Sequence, residues 1–184
     1  DIKNMAAEDR LESDYRQAIV DICKDGFTKE KFLKLRVASE SMLPFIRVGD
    51  ELFVEPYDAN LVRRGELIVF RSDQELITHR VIYSHNGIFQ TKGDNMAKPD
   101  EIMGNKDILG RVYLLERNEQ QFDLLSLHFT RINRLLGWLG WTQVQCLNML
   151  EQLGNRFNNK THYPWVVRAF LLAERLILFT CSYH

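Results

Sequence analysis

The chain has 184 residues, with 24 basic and 25 acidic side chains and a formal net charge of −1. Its composition, 45% hydrophobic and 27% charged, is typical of a globular protein with one sizeable core; it excludes a disordered chain, a collagen-like repeat and a disulfide-stapled mini-protein. The near-neutral net charge shows no excess of the basic residues that bind nucleic-acid phosphates, so the sequence predicts no nucleic-acid partner.

The three cysteines are Cys23, Cys146 and Cys181. Their odd number does not suggest a disulfide framework, and none has the C-x-x-C spacing of a zinc site. We expect reduced thiols and no metal site.

The longest stretch without a charged side chain covers residues 135–150 and includes two glutamines and an asparagine. A spanning helix needs about 20 apolar residues, so no transmembrane helix is predicted in this chain. The chain begins with Asp1 rather than Met, which leaves open a removed targeting segment. The localisation, cytoplasmic or peripheral to a membrane, stays open at this stage.

The first predicted element is an amphipathic helix that ends near Lys24. The apolar residues that recur at helical spacing are Leu11, Tyr15, Ala18, Ile19 and Ile22. Gly26 follows as a helix stop. Residues 1–36 are therefore assigned to an N-terminal helix and its lead-in.

A series of short β-type runs then indicates a compact, mainly antiparallel β domain over residues 37–117. The predicted strands cover residues 35–38, 51–55, 66–70, 76–83, 88–92 and 108–115. Between two of them, Asn86-Gly87 is the strongest turn signal, because both residues tolerate the positive φ of a tight hairpin.

Helical spacing returns in residues 118–184, which we assign to a C-terminal helical extension. Apolar positions over residues 124–144 share one broad face of a first helix, and a second runs from about Trp165 to Phe179. Residues 123–184 carry six basic and three acidic side chains.

Two interpretations of this extension stay open. The helices could form a cap packed on itself or on the β domain. Alternatively, one face lies in a membrane interface as a peripheral contact, with aromatic rings near headgroup depth and basic residues meeting anionic lipid. The tryptophans concerned are Trp138, Trp141 and Trp165.

Three segments of the β domain carry residues that acyl transfer uses. They are S-E-S-M-L-P at 39–44, T-H-R-V at 78–81 and K-G-D-N at 92–95, with Asp100 following. A serine hydroxyl is a weak nucleophile until a neighbouring base removes its proton, so a serine, a histidine and an acid form a functional combination. Each residue alone is a weak signal, because a histidine on a strand is more often a hydrogen-bonded structural residue.

Taken together, the motifs resemble the signal peptidase I family, in the branch of the endoplasmic reticulum and archaea where histidine replaces the lysine base. They are S-x-S-M-x-P, G-D, G-E-L-I-V-F, H-R-V, K-G-D-N and I-L-G-R-V, in that order within residues 37–117. The resemblance implies an α+β fold with a signal-peptidase/LexA-like β core. It also implies a serine endopeptidase that cleaves an extended protein or peptide after small residues, without a metal or organic cofactor.

By this resemblance Ser41 is the nucleophile, His79 the general base and Asp100 the acid that orients the imidazole. Asp94 is the rival for the third role; its alternative is a turn residue bonded to local backbone. The backbone amide of Ser41 and the hydroxyl of Ser39 correspond to the oxyanion donors. We expect the Ser41 hydroxyl and the His79 imidazole to be hydrogen-bonded neighbours in an open groove.

The chain departs from the family at three points. It has Gly65-Glu66 where the family has G-D, it shows no N-terminal membrane helix, and its C-terminal extension has no recognised counterpart.

Two alternatives remain. A LexA-like self-cleaving module is disfavoured by His79 at the base position, by the lack of a DNA-binding helical pair and by the absence of Ala-Gly and Cys-Gly dipeptides. A non-catalytic protein on the same fold would use the apolar extension to bind a partner or a membrane.

Overall fold

The computed structural model describes residues 32–72, 75–104, 108–156 and 164–181. These residues form an α+β fold, with one eight-stranded sheet followed by two helices. The strands are β1 Leu33–Arg36, β2 Glu51–Glu55, β3 Leu67–Ser72, β4 Glu75–His85, β5 Ile88–Lys92, β6 Ile102–Met103, β7 Ile108–Arg117 and β8 Gln120–Asp123, and the helices are α1 Leu127–Arg156 and α2 Pro164–Cys181. The predicted N-terminal helix lies outside the described residues.

The sheet has the order β1-β2-β7-β3-β4-β5-β6, with β8 paired to β7. All of these pairs are antiparallel, which confirms the predicted fold class. β1 begins and ends two residues earlier than predicted, and it pairs with β2 although it falls in the segment assigned to the lead-in. The division of the chain after residues 36 and 117 stays a prediction.

β3 runs through the middle of the sheet as the uninterrupted apolar segment Leu-Ile-Val-Phe. Such a segment suits a strand whose two faces are both covered. Leu67 and Val69 belong to the larger hydrophobic cluster, together with Leu136 of α1, whereas Ile68 belongs to a smaller cluster with Val81. Alternate side chains of β3 thus join two cores.

The turn between β4 and β5 is the predicted hairpin. Asn86 and Gly87 have φ angles of 49° and 73°, which confirms that both adopt positive φ. The turn brings the strand that carries His79 beside the strand that leads into K-G-D-N.

Helix α1 packs on the sheet with part of the predicted apolar face, since Ile132, Leu136 and Val144 are buried. Leu127 and Leu135, assigned from apolar spacing to the covered side, are exposed. The buried face includes Asn133 and Gln143 as well as Leu136 and Val144. Apolar spacing does not indicate the polar residues of this face, nor the glycines Gly137 and Gly140, which allow its closest approach to the sheet. Within the described residues, neither helix combines the length and hydropathy needed to cross a bilayer.

Candidate active site

Three separate segments supply the residues singled out in the sequence. Ser41 lies in the turn that follows β1, His79 lies on β4, and Asp100 lies in the loop between β5 and β6. Antiparallel pairing of β4 with β5 places the last two segments next to each other.

His79 and Asp100 are hydrogen-bonded side chains. The Nδ1 atom of His79 lies 2.7 Å from Oδ2 of Asp100, and the His79 side chain is only 7% exposed. The Thr91 hydroxyl donates to the same carboxylate oxygen at 2.6 Å, and the Asp100 amide donates to the Thr91 carbonyl oxygen at 2.9 Å. A carboxylate fixed in this way holds the imidazole with Nδ1 toward it, so that Nε2 lies on the opposite side of the ring.

Gly93 lies where the His79 and Ser41 segments meet. A Cβ atom at Gly93 would stand 2.9 Å from His79 Nε2 and 2.7 Å from the Ser41 carbonyl oxygen. The same carbonyl accepts a 2.8 Å hydrogen bond from the Asn95 amide, and Asn95 Nδ2 donates to the Glu40 carbonyl at 3.2 Å. The loop over residues 93–96 follows Lys92 and contains the last three residues of the K-G-D-N motif, and it is called the K-G-D-N loop below. Its contacts therefore link the turn that carries Ser41 to His79.

Among the described residues, the Ser41 hydroxyl is hydrogen-bonded to Ser39 Oγ, at 3.3 Å, and not to His79 Nε2. This differs from the expectation that Ser41 and His79 are hydrogen-bonded to each other. The hydroxyl turns about a single bond, and in this rotamer it faces Ser39. Hydrogen bonds of catalytic groups are often long before substrate binds.

Asp94 has a different set of partners from Asp100. Its two carboxylate oxygens accept from Nε and Nη2 of Arg80 at 2.8 and 2.7 Å, and both residues are buried. Both oxygens of the Asp94 carboxylate are therefore engaged by Arg80. The carboxylate that contacts His79 is that of Asp100. Asp94 is also not the locally bonded turn residue of the sequence-based alternative, because its partner lies on β4.

Other motif residues form ion pairs away from the serine. Asp50 of the G-D motif is paired with Arg117. Glu66, which stands where the family has aspartate, accepts a 3.0 Å hydrogen bond from Arg111 Nη1. Burial raises the pKa of the nearby Tyr57 phenol, and Glu66 adds to the rise. The replacement of the family's aspartate by Glu66 therefore falls on a structural ion pair.

Two further residues of this site were missed by sequence reasoning. Thr91 fixes Asp100, and Gly93 allows the contact of the loop with Ser41 and His79. The K-G-D-N motif contained Gly93, but it was interpreted only as part of a turn. Thr91 carried no signal of its own. Within the described part of the chain, no group of three or more His, Cys, Asp or Glu side chains could hold a metal ion.

The mainly antiparallel sheet and the C-terminal helices form an α+β fold that is consistent with a family of serine peptidases and self-cleaving modules. The sequence matches the family described as Peptidase S24-like over residues 4–113, more than half of the chain, and the chain belongs to that family. A search of the curated proteins finds no match.

Proposed function

We propose that this protein is a serine endopeptidase of the signal peptidase type, in the branch with a histidine base, which cleaves an extended protein or peptide segment after small residues. Ser41 is the nucleophile, His79 the general base and Asp100 the residue that orients the base. The observation that carries this proposal is the 2.7 Å contact between His79 Nδ1 and Asp100 Oδ2, with Nε2 on the side of the ring that adjoins Gly93 and the Ser41 segment.

The mechanism begins when the Ser41 hydroxyl rotates from Ser39 toward His79. His79 Nε2 takes the hydroxyl proton as Oγ attacks the scissile carbonyl, and the imidazolium then protonates the leaving amine. Asp100 stabilises the imidazolium through Nδ1. In the second step His79 Nε2 takes a proton from a water molecule that attacks the acyl carbonyl, and it returns a proton to Ser41 Oγ as the acyl-enzyme bond breaks.

The developing oxyanion requires hydrogen-bond donors beside Ser41. The Ser39 hydroxyl is within 3.3 Å of the Ser41 hydroxyl, which supports the proposed pairing of Ser39 with the Ser41 backbone amide as donors. Loss of one such donor typically costs about 2.7–4 kcal/mol of transition-state stabilisation.

The substrate is proposed to bind as an added strand beside the segment that leads to the serine. β1 lies at one end of the strand order, so in the described sheet it pairs on one side only, with β2. Residues 36, 38 and 39 are exposed. Backbone hydrogen bonds to such an edge supply affinity, while pockets for alternate side chains supply specificity.

A second candidate is intramolecular cleavage, because the Peptidase S24-like family includes self-cleaving LexA-like modules as well as serine peptidases. This candidate predicts that the purified chain cuts itself at a rate independent of its concentration. Cleavage of added peptides without loss of the full-length chain favours the endopeptidase.

The decisive experiment is mass spectrometry of a peptide library incubated with wild type, Ser41→Ala and His79→Ala. We expect both variants to lose cleavage after small residues while keeping the wild-type circular dichroism spectrum. His85→Ala is the matched control, because His85 is an exposed histidine on the same strand. Undiminished turnover in Ser41→Ala or His79→Ala removes that residue from the mechanism.

We further propose a peripheral contact of α1 with an anionic bilayer. Leu135 and Trp138 lie three residues apart on α1 and are 48% and 49% exposed, so both lie on its outer face. The Arg64 guanidinium stacks over the Trp138 ring at 4.3 Å, and exposed Arg134 lies one turn away on the helix. Exposed apolar and aromatic side chains beside arginines suit a surface of anionic lipid.

A further inference from the structure

Two buried cationic side chains, Arg80 and Lys92, make hydrogen bonds to the K-G-D-N loop from the interior of the protein. Arg80 is fully buried and binds both carboxylate oxygens of Asp94. Lys92, also buried, donates from Nζ to the carbonyl oxygens of Gly93 at 2.9 Å and Met96 at 2.8 Å. Because the same loop contacts Ser41 and His79, these two side chains determine where the loop lies in the proposed active site.

Helix α1 covers both of these side chains. Asn133 Oδ1 accepts a 2.8 Å hydrogen bond from Arg80 Nη1, and the Gly65 carbonyl accepts a second from the same nitrogen at 3.1 Å. About two turns further along the same face of the helix, a Cβ atom at Gly140 would stand 3.4 Å from Lys92 Cε. The helix therefore contacts the cationic supports of the loop rather than the loop itself.

The contact is close because glycine occupies the helix where it meets the sheet. A Cβ atom at Gly137 would lie 2.8 Å from the backbone nitrogen of Gly65 and 3.0 Å from the carbonyl oxygen of Val81, next to Arg80. Neither distance leaves room for a larger side chain. This approach brings the Asn133 amide within hydrogen-bond reach of a guanidinium that has no access to water.

Asn133 belongs to the hydrogen-bond set of Arg80. A buried donor that loses its acceptor carries the full penalty of desolvation, and the surrounding groups shift to reduce it. Such a shift would move the Asp94 carboxylate of the loop and the backbone of Arg80 itself, which adjoins His79 on β4.

We infer that helix α1 is part of the proposed active site, in which Asn133 is a positioning residue that fixes the K-G-D-N loop through Arg80 and Asp94. This inference rests on the proposed function of Ser41 and His79. It gives a positioning role in the proposed active site to a helix that lies outside the segment resembling the signal peptidase family.

The first test compares the kinetics of Asn133→Ala, Asn133→Asp and the matched control Asn148→Ala, which changes an exposed asparagine of the same helix. Asn133→Ala removes the acceptor, and we expect kcat to fall by on the order of tenfold to a hundredfold with little change in KM. Asn133→Asp keeps an acceptor for Arg80 and should restore most of kcat. Asn148→Ala should match wild type.

The second test needs no enzymatic activity and therefore separates this inference from the proposed function. The ring resonances of His79 are measured by NMR in wild type and in the same variants at one pH. We expect Asn133→Ala to shift the His79 ring signals, Asn133→Asp to return them toward wild type, and Asn148→Ala to leave them in place.

The outcomes are distinct. A wild-type protein that cleaves no peptide, but whose His79 signals respond to Asn133→Ala, overturns the proposed function and leaves the positioning role supported. Wild-type kcat and unshifted His79 signals in folded Asn133→Ala overturn the positioning role. If Asn133→Ala does not fold, Gly140→Ala takes its place, because its methyl group would lie 2.9 Å from Ile82 Cγ2 and so shift the helix, with Asn133, away from β4; unchanged His79 signals and kcat in that variant also overturn the inference.

Discussion

Two carboxylates of the same loop region have different partners and therefore different expected roles. Asp100 is hydrogen-bonded to His79 and Thr91, whereas Asp94 is paired with buried Arg80. Asp100 determines which nitrogen of the His79 imidazole carries the proton. Asp94 neutralises the charge of the buried Arg80 guanidinium.

This difference gives a prediction for matched substitutions. Asp100→Asn should lower kcat by up to about 10⁴-fold, because an amide that donates toward Nδ1 favours the wrong imidazole tautomer. Asp94→Asn should lower the free energy of unfolding by about 3 kcal/mol, because it weakens the pairing of a buried guanidinium, and should lower kcat less than Asp100→Asn does. Steady-state kinetics and urea denaturation of both variants measure the two effects. A larger loss of kcat in folded Asp94→Asn than in Asp100→Asn would mean that the wrong acid has been assigned.

Gly93 gives a second prediction at this scale. In Gly93→Ala the new methyl group would lie within 3 Å of both His79 Nε2 and the Ser41 carbonyl oxygen, so one of them must move. We expect kcat to fall by on the order of a hundredfold, because small misplacements of reacting groups are costly. Gly104→Ala is the control, since a Cβ there meets no atom within 4 Å. Equal kcat in the two variants contradicts the placement of Gly93 beside the reacting groups.

The resemblance to the signal peptidase family pointed to His79 and Asp100 as partners, with Asp94 as the rival acid, and the structure places His79 and Asp100 2.7 Å apart. The roles of Gly93 and Asn133 could not be obtained in this way. Asn133 lies 53 residues from Arg80 in the chain, and their contact depends on how a helix packs on a sheet. A hydrogen bond of this kind leaves no periodic pattern in the sequence.

At the scale of the elements, hydrophobic alternation and turn residues predicted the strands that form the centre of the sheet. The predicted bounds of 51–55 and 88–92 are those of β2 and β5. β6 and β8 were not predicted, because β6 has only two residues and β8 contains two adjacent glutamines. Such strands form because a neighbouring strand offers unpaired backbone groups, which the local sequence does not record.

The β4–β5 hairpin allows a test that separates folding from catalysis. Gly87→Ala places a Cβ atom on a residue with φ of 73° and within 2.6 Å of the Asn60 side chain. We expect the free energy of unfolding to fall by about 1 kcal/mol or more, with kcat unchanged, because the turn lies at the opposite end of β5 from K-G-D-N. Chemical denaturation and peptide cleavage measure both quantities. A stability equal to that of Gly104→Ala contradicts the importance of this turn.

At the scale of the whole molecule, the two sides of α1 have different properties. The inner side packs on the sheet through glycines and the buried Asn133, so the interpretation of a cap packed on the β domain describes that side. The outer side exposes Leu135 and Trp138. The proposed bilayer contact concerns this outer side and is compatible with the packing of the inner one.

Vesicle flotation tests the outer side. We expect wild type to float with vesicles that contain anionic lipid and to be released at about 1 M salt, where the Debye length is about 3 Å. Trp138→Ala combined with Arg134→Glu should reduce the bound fraction severalfold, whereas Ile102→Ala, which removes an exposed apolar side chain from β6, should not. Absence of wild-type protein from the floated fraction rules out the bilayer contact.

The hydrogen bonds of Arg80 link three distant parts of the chain: the turn at Gly65, the loop at Asp94 and the helix at Asn133. During synthesis, a chain that has emerged only as far as the end of the sheet already contains Ser41, His79 and Asp100. It cannot yet complete the set of acceptors around the guanidinium. The hydrogen-bond set of Arg80 is therefore completed only after helix α1, which carries Asn133, has left the ribosome.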